Sequence, residues 1–290
     1  LIYQATFGDM KCDQIYSMNL DGSEKQLVST GNGRTTCAYF LPGDERIIYS
    51  STHMADSECP APPDRAKGYV WQLYDSFDIF SANADGTDVT PLTFSGKYDA
   101  EATVSHREDK IVFTSTRDGD PELYVMDIDG SNQTRLTFEK GYDGGAFFSQ
   151  DGNKIVFRAS RPKTEAELAD YEELANNGLF RPSILEIYVM NSDGSDIQQV
   201  TNFGKASFAP FFHPDGKRII FSSNVNSQSG RDFDLYLINV DGTGLEQITF
   251  NETFDGFPMF TKDGKQLVFC SNRFNKNEGD TNVFIADWID

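Results

Sequence analysis

IYSMNLDG, residues 15–22, is the first of six copies of one short phrase in this chain. The others are IFSANADG from Ile79, LYVMDIDG from Leu123, IYVMNSDG from Ile187, LYLINVDG from Leu235 and VFIADWID from Val283. Neighbouring copies start 44 to 64 residues apart. Repeats of this length that each supply four short strands are typical of β-propellers. The sequence therefore predicts an all-β fold, a six-bladed β-propeller of four-stranded antiparallel blades with one short inserted helix.

Each repeat unit contains four segments rich in β-branched and aromatic residues, which we name strands A to D in chain order. Tight Asp-Gly turns follow strand C, and such turns favour hairpins between adjacent strands. A single blade cannot bury both of its faces, so we expect one domain over residues 1–290. The expected blade cores lie near residues 1–30, 34–94, 100–138, 144–202, 206–250 and 256–290.

The two ends of the chain carry an incomplete set of strands. Strands B and C occur six times, but no strand A precedes Leu1 and no strand D follows Trp288. We expect residues upstream of Leu1 in the natural protein to supply the strand that closes the ring.

Composition limits the classes of partner. The formal net charge is −20, which argues against nucleic acid because phosphate binding relies on Lys and Arg. The sequence has no run of 18 apolar residues, so we expect no membrane span. Within residues 1–290 we find no basic segment followed by an apolar stretch, the pattern of a signal peptide.

Three strings carry a family resemblance: SQDGNKIVFRASR from Ser149, HPDGKRIIFSSN from His213 and TKDGKQLVFCSNR from Thr261. Together with IYVMNSDGS and TRLTF, they resemble the repeat of the TolB propeller family over essentially the whole chain. The resemblance implies a propeller of the kind found in periplasmic TolB and beside peptidase domains. The chain also resembles oligogalacturonate lyases in part, but it does not match their histidine-rich metal centre.

Length variation is confined to one face of the predicted disc, which carries the B-to-C connections. Two of these connections are long, the insertions 52–77 and 161–185. The second insertion predicts a helix, with a capping box at Thr164 and Glu167 and an apolar stripe of Leu168, Tyr171 and Ala175 before Gly178. Long loops gathered on one face of a rigid scaffold are where binding usually occurs, so we expect the ligand or partner there.

Carboxylates recur at the start of strand A, beside the expected channel mouth. The candidate ligands for a metal are Asp99, Glu101, Asp143 and Asp255. Calcium prefers six to eight oxygen ligands and would neutralise such a group. The alternative is that each aspartate bonds to the amides of its own loop. The arginines that end strand B, Arg117, Arg161 and Arg273, are expected to form inter-blade ion pairs and capping contacts.

Aromatic and basic residues near the same face are candidate ligand contacts. They are Tyr98, Tyr142, Phe254, Trp71, His53 and Arg34. For Trp71, which could wall a pocket with Tyr69 and Tyr74, the alternative is that it anchors its loop to the disc.

The four cysteines divide into two kinds. Cys12 and Cys59 lie in adjacent B-to-C loops and are a candidate disulfide, which would imply an oxidising compartment. Cys37 and Cys270 lie in predicted strands and are expected to be buried free thiols.

These features favour a non-catalytic, exported binding or scaffold module, periplasmic or extracellular, with a protein, small ligand or glycan on the loop-rich face. It would require no cofactor, with Ca²⁺ as the possible exception. One alternative is the accessory propeller of a peptidase whose catalytic domain lies elsewhere. Another is a polysaccharide lyase or hydrolase that uses the rim carboxylates. The three histidines lie too far apart in the predicted fold to form a metal site or a triad base.

Overall fold

Six antiparallel sheets follow one another along the chain in the computed structural model, which describes residues 1–107, 109–277 and 279–289. They are the six blades of a β-propeller, so the predicted fold class is confirmed. Blade 1 contains strands β1 (Ile2–Ala5), β2 (Gln14–Ser17) and β3 (Gln26–Leu27). Blade 2 contains β4 (Thr35–Phe40), β5 (Arg46–Ser51), β7 (Asp78–Asn83) and β8 (Thr90–Pro91). Blade 3 contains β9 (Asp99–Val104), β10 (Lys110–Ser115), β11 (Glu122–Asp127) and β12 (Thr134–Arg135). A 3₁₀ turn (Arg65–Lys67) and strand β6 (Trp71–Gln72) lie between β5 and β7.

The last three blades repeat this order. Blade 4 contains β13 (Tyr142–Phe148), β14 (Lys154–Ser160), β16 (Glu186–Asn191) and β17 (Gln198–Gln199). Blade 5 contains β18 (Ser207–Phe212), β19 (Arg218–Ser223), β20 (Asp234–Asn239) and β21 (Glu246–Gln247). Blade 6 contains β22 (Asp255–Phe260), β23 (Gln266–Ser271) and β24 (Asn282–Asp287). Helix α1 (Glu165–Ala175) and strand β15 (Leu179–Phe180) lie between β14 and β16. The first and last blades have three strands each, as the strand count from the sequence predicts.

The chain forms two compact units. One consists of Leu1–Gly144 with Arg161–Arg181, and the other of Gly145–Ser160 with the residues from Pro182 onward. That the whole chain forms a single domain stays a prediction.

Apolar side chains fill the space between successive blades inside each unit. In the first unit, Tyr49 and Phe80 pack with Ile15 between blades 1 and 2, and Phe113 packs with Ile48 between blades 2 and 3. The middle strands therefore have apolar residues on both faces: β5 reads RIIYSS, and every residue after Arg46 is buried. Burial of both faces explains why these strands read as continuous hydrophobic runs and not as an alternating pattern.

Tight turns follow strand C in the manner that the Asp-Gly pairs predict. In blade 2, Gly86 has a φ of 85°, and the Asp85 carboxylate accepts hydrogen bonds from the Thr87 amide (3.0 Å) and hydroxyl (2.6 Å). Both bonds lower the pKa of Asp85, and the bond from the hydroxyl has the larger effect. The side chain therefore replaces water as the partner of the turn amide, and the role of this aspartate is structural.

A bulge near the start of strand A recurs from blade 2 to blade 6, and the sequence pattern does not reveal it. The third residue of the strand has a positive φ in β4, β9, β18 and β22, and in β13 the fourth residue does. These residues are Cys37, Glu101, Gly145, Ala209 and Phe257, with φ between 49° and 60°. Four of the five are not glycine, so each of those carries backbone strain.

Candidate functional site

The two long insertions pack together into one substructure, which we call the cap and define as residues 61–77 and 164–181. Strand β6 pairs antiparallel with β15, so that Trp71 lies opposite Phe180. Beside this pair, the Leu73 amide donates to the Gly178 carbonyl oxygen over 2.7 Å. The Gln72 side-chain amide donates to the same oxygen over 3.0 Å. Two segments about a hundred residues apart in sequence therefore form a single structural element.

Helix α1 begins as its sequence predicts. The Thr164 hydroxyl accepts from the Glu167 amide, and the Glu167 carboxylate accepts in return from the Thr164 amide, which completes a capping box. The predicted apolar stripe is wrong at one position: Leu168 is exposed, whereas Leu174 is buried beside Tyr171. Leu174 instead packs with other residues of the cap, Val70 and Leu179.

Ion pairs across the cap are near the surface. Lys67 pairs with Glu173, and Arg181 pairs with both oxygens of Asp170 at 2.9 and 3.0 Å. The hydrogen bonds from Arg181 lower the pKa of Asp170. Because exposed pairs contribute little, the apolar packing of the cap stabilises it more than these charges do.

Aromatic rings anchor the cap to the innermost strand of blade 4. The ring of Tyr142 stacks on Phe180 with a centroid distance of 4.3 Å, and Trp71 lies 6.2 Å from Tyr142. Tyr142 is fully buried. Two of the predicted ligand contacts, Trp71 and Tyr142, are therefore arranged to hold the cap in place.

An open groove of about 780 Å³ lies between the cap and blade 3. The cap contributes residues 72–76, Tyr171 and residues 175–180, and blade 3 contributes Lys97, Thr116, Arg117, Gly119 and Pro121. Leu73, Leu179 and Phe180 are buried and form its apolar lining. Its volume lies in the range of small-ligand sites.

The charged groups at this groove are paired. The Lys97 ammonium lies 2.8 Å from the Asp75 carboxylate. One guanidinium nitrogen of Arg117 donates to both oxygens of Asp99 at 3.0 Å. Each cation therefore has a carboxylate beside it that would repel an acidic ligand.

Several neutral polar groups at the groove have spare hydrogen-bonding capacity. Within the described ranges, the Asn176 carboxamide and the Ser76 hydroxyl have no hydrogen-bond partner in the protein. Gln72 and Asn177 donate through their amide nitrogens to backbone oxygens of the cap. Their side-chain oxygens therefore remain as acceptors.

Three rim aspartates are buried, and each pairs with an arginine one or two residues beyond strand B of the same blade. The pairs are Asp99 with Arg117 at 3.0 Å, Asp143 with Arg161 at 2.5 Å and Asp255 with Arg273 at 2.5 Å. The aspartates are fully buried. These three pairs are not inter-blade pairs, since each connects strand A with the end of strand B within one blade. Arg161 also pairs at 3.0 Å with Glu139, which lies in the connection from blade 3 to blade 4.

The four predicted calcium ligands are engaged by other protein groups in this structure, and a calcium site stays a prediction. Among residues 1–107, 109–277 and 279–289, no group of three or more His, Cys, Asp or Glu side chains is placed to hold a metal. A guanidinium occupies the position beside Asp99, Asp143 and Asp255 that the hypothesis gave to a cation. Glu101 instead accepts hydrogen bonds from the hydroxyls of Thr114 (2.8 Å) and Tyr142 (2.9 Å).

The remaining candidate contacts lie in separate places. His53 packs on Phe80 at 4.3 Å, and burial lowers the pKa of its imidazole. The Arg34 guanidinium lies 6.0 Å from the ring centroid of Tyr74, a groove residue. Tyr98 is buried against Phe77. None of these three candidates lines the groove.

Phe254 belongs to an aromatic cluster in the other unit. Its ring lies 6.3 Å from Phe208, 6.0 Å from Phe233 and 6.1 Å from Phe257. Phe257 is half exposed. The cluster is apolar, and Phe254 packs within it.

A disulfide joins Cys12 to Cys59 across 47 residues of sequence. It ties the connection between β1 and β2 to the insertion that also supplies part of the groove. Cys37 and Cys270 are not joined in a disulfide, and both are partly buried, not fully buried as expected. Burial raises the pKa of Cys270 to about 11, so this thiol stays protonated and unreactive at neutral pH.

We predict that Asp78→Asn stabilises the protein at neutral pH. Burial, with the nearby Asp99 charge, raises the pKa of Asp78 to about 6. The unfolded chain releases this proton near pH 4, so ionisation costs stability as the pH rises from about 4 to about 6. The variant should therefore have a higher melting temperature than the wild type at pH 8, and the gain should vanish by about pH 4.

Asp85→Asn is the control of opposite sign. Its carboxylate has a lowered pKa through the Thr87 hydroxyl, so this variant should lose stability at neutral pH and approach the wild type in acid. Melting temperatures measured for all three proteins between pH 4 and 8 decide the matter. A gain for Asp78→Asn that does not depend on pH would contradict the prediction.

Sequence reasoning located the region of the groove but missed most of its polar lining. Ser76, Asn176 and Asn177 belong to the two insertions whose length marks the face. Asparagine and serine are common in loops for local reasons, so their residue types give no separate signal. The only available signal was their place in long B-to-C connections.

The described part of the chain contains no helix that is long and apolar enough to cross a membrane.

These features define a class: a β-propeller with a capped, ligand-sized groove. The sequence model of the TolB β-propeller domain family matches residues 63–179 and 169–288 of this chain. The chain therefore belongs to the TolB β-propeller family, and the resemblance seen in its repeats is confirmed.

Solved structures share the fold at low identity. TolB from Acinetobacter baumannii is 21% identical with a TM-score of 0.58, over 76% of this chain and 49% of that chain. A putative TolB from Agrobacterium tumefaciens is 19% identical (TM-score 0.56; 81% and 73%), and an oligogalacturonate lyase in complex with manganese is 14% identical (TM-score 0.56; 99% and 69%). This chain thus spans about half the length of the Acinetobacter TolB chain. At these identities the likeness shows the fold alone.

Proposed function

We propose that this chain is a non-catalytic binding module that acts outside the cytoplasm and holds its ligand in the groove between the cap and blade 3. The observation that carries the proposal is the cap itself. Two insertions far apart in sequence pair through β6 and β15 and leave an open groove of about 780 Å³. Most of the strands are accounted for by the blades, so the cap is the feature that a propeller does not need for its own stability.

The chemistry of the rim carboxylates supports a role without catalysis. A general acid or nucleophile must reach its substrate. Asp99, Asp143 and Asp255 have no exposed surface, and each is held by an arginine. A lyase or hydrolase that used them would first have to expose a buried ion pair, which is costly.

The disulfide supports export. Disulfides persist in oxidising compartments and are rare in the cytosol. The bond between Cys12 and Cys59 ties down the insertion that supplies the groove residues 72–76. A periplasmic or extracellular location also agrees with the family, whose TolB members are periplasmic.

The test measures the binding of a defined panel of probes to the full chain by ligand-observed NMR. The panel contains neutral hexasaccharides, hexagalacturonate, hexalysine and an apolar tripeptide. Asn176→Trp should fill the groove without disturbing the helix end, because the Asn176 backbone is right-handed helical and its amide caps α1. Glu165→Trp is the matched control, since Glu165 is an exposed residue of α1 that does not line the groove.

We expect at least one probe to bind the wild type and the Glu165→Trp variant but not Asn176→Trp. The proposal fails if every probe is silent, or if the bound probes are unaffected by Asn176→Trp. It also fails if any probe is converted to product, because the chain would then be an enzyme.

A further inference from the structure

We infer that the ligand of the groove is an uncharged, hydroxyl-rich molecule, a neutral oligosaccharide. This inference rests on the proposed function and names the class of ligand for that same site. It follows from the charge balance of the groove, from its spare hydrogen-bonding groups and from its fixed aromatic rings.

Charge balance disfavours the ionic ligand classes, because the groove presents no net charge to attract them. Lys97 is paired with Asp75, and Arg117 is held by Asp99. An acidic ligand would meet the carboxylates of Asp75 and Asp99 beside the two cations, and a basic ligand would meet Lys97 and Arg117 beside the two carboxylates. The neighbouring charge of the same sign as the ligand offsets part of each new attraction.

The neutral polar groups exclude a purely apolar ligand. The Asn176 carboxamide and the Ser76 hydroxyl have no partner in the described part of the protein. Gln72 and Asn177 keep acceptor oxygens while their amide nitrogens are engaged. An apolar ligand would strip water from these groups and offer nothing in return. Ligand hydroxyls both donate and accept, so they can satisfy all four side chains.

The aromatic rings are held in place by bonds that do not involve a ligand. The Tyr74 hydroxyl donates to the Ala61 carbonyl oxygen over 2.6 Å, and the Tyr171 hydroxyl donates to the Gly141 carbonyl oxygen over 2.7 Å. The Tyr171 ring is buried, so the half-buried ring of Tyr74 is the one that offers a ligand carbon surface. The C–H faces of a pyranose pack against such surface, and rings fixed in advance lose little entropy on binding.

The experiment is titration calorimetry of the full chain with cellohexaose, maltohexaose and chitohexaose, with hexagalacturonate and hexalysine as charged probes of equal length. We expect one or more neutral probes to bind, with an affinity that does not change between low and high salt. The double variant Asn176→Ala with Ser76→Ala should weaken that affinity about tenfold. Leu168→Ala, at an exposed position of α1 outside the groove, should leave it unchanged.

The outcomes separate the two proposals. If only hexagalacturonate or hexalysine binds, and Asn176→Trp abolishes that binding, the inference of a neutral oligosaccharide is overturned and the proposed function stands. If a neutral probe binds equally well to wild type and to the double variant, the inference is also overturned. If no probe binds, the inference falls, and the groove-filling NMR test with its wider panel decides the proposed function.

Discussion

Replacing Arg117 with valine should lower the free energy of unfolding by about 3 kcal/mol. Its guanidinium donates to both oxygens of Asp99, which is fully buried. Removing the cation leaves a carboxylate in the interior without its counter-charge. The cost belongs at the lower end of the range for broken buried pairs, because the Arg117 side chain is 22% exposed and water screens part of the interaction.

The chain itself supplies the matched control. In blade 5 the two equivalent positions hold Ser207 and Val225, since Ser207 pairs with Ser223 as Asp99 pairs with Ser115. A blade can therefore do without the ion pair when both partners are absent. The double variant Asp99→Ser with Arg117→Val copies blade 5 into blade 3, and it should recover more than half of the stability lost in Arg117→Val alone.

Urea unfolding followed by circular dichroism measures both variants against the wild type. Equal stability of Arg117→Val and the wild type would mean that the pair contributes nothing. A double variant as unstable as the single one would mean that Arg117 acts through its packing on Phe113 and Tyr124 and not through Asp99.

The same comparison explains why the rim carboxylates were not matched with their arginines from sequence. In blades 3, 4 and 6 the aspartate and its arginine occur together, whereas blades 2 and 5 have neither. The members of each pair lie 18 residues apart, on two antiparallel strands that the repeat pattern already aligns. The pairing within a blade was therefore open to prediction once the strands were in register. What suggested calcium was the recurrence of carboxylates considered without their arginines.

Much of the fold follows from the sequence because the signal repeats. The phrase around Ile15 or Ile187 is weak evidence for a strand when it stands alone, but six copies with the same turn fix the order of the blades. The bulges in strand A could not be predicted, because residues as different as Glu101 and Phe257 occupy the same left-handed position. Such a conformation is imposed by packing and not by local propensity.

In the cap, one feature was predictable from the sequence and another was not. Its helix was predictable, since the capping box of Thr164 and Glu167 is a local signal. The pairing of β6 with β15 was not, because each strand has only two residues and its partner lies far away in sequence. Long-range pairing of short segments is decided by the scaffold that brings them together, and single-sequence patterns do not contain that information.

Gly33→Ala should lower the free energy of unfolding by about 2–5 kcal/mol. Gly33 has a φ of 61°, and an added Cβ would lie 2.7 Å from the Thr52 hydroxyl and 2.8 Å from the His53 amide nitrogen. The second of these atoms is backbone and cannot rotate away. The substitution would also disturb two hydrogen bonds at Gly33, from its amide to the Ser57 carbonyl oxygen (2.8 Å) and from Gln14 to its own carbonyl oxygen (2.9 Å).

Gly31 provides a control two residues away. Its φ is 77°, but the nearest atoms to an added Cβ are 3.8 and 4.0 Å distant. Gly31→Ala therefore introduces the left-handed strain without the clash, and it should cost only about 1–2 kcal/mol. The difference between the two variants isolates the steric contribution, about 1–3 kcal/mol. Urea unfolding of both proteins measures it, and equal losses would show that the start of the first insertion can move away from strand A. In that case the segment from which the cap extends is not rigid, and the groove would not have a fixed shape before a ligand binds.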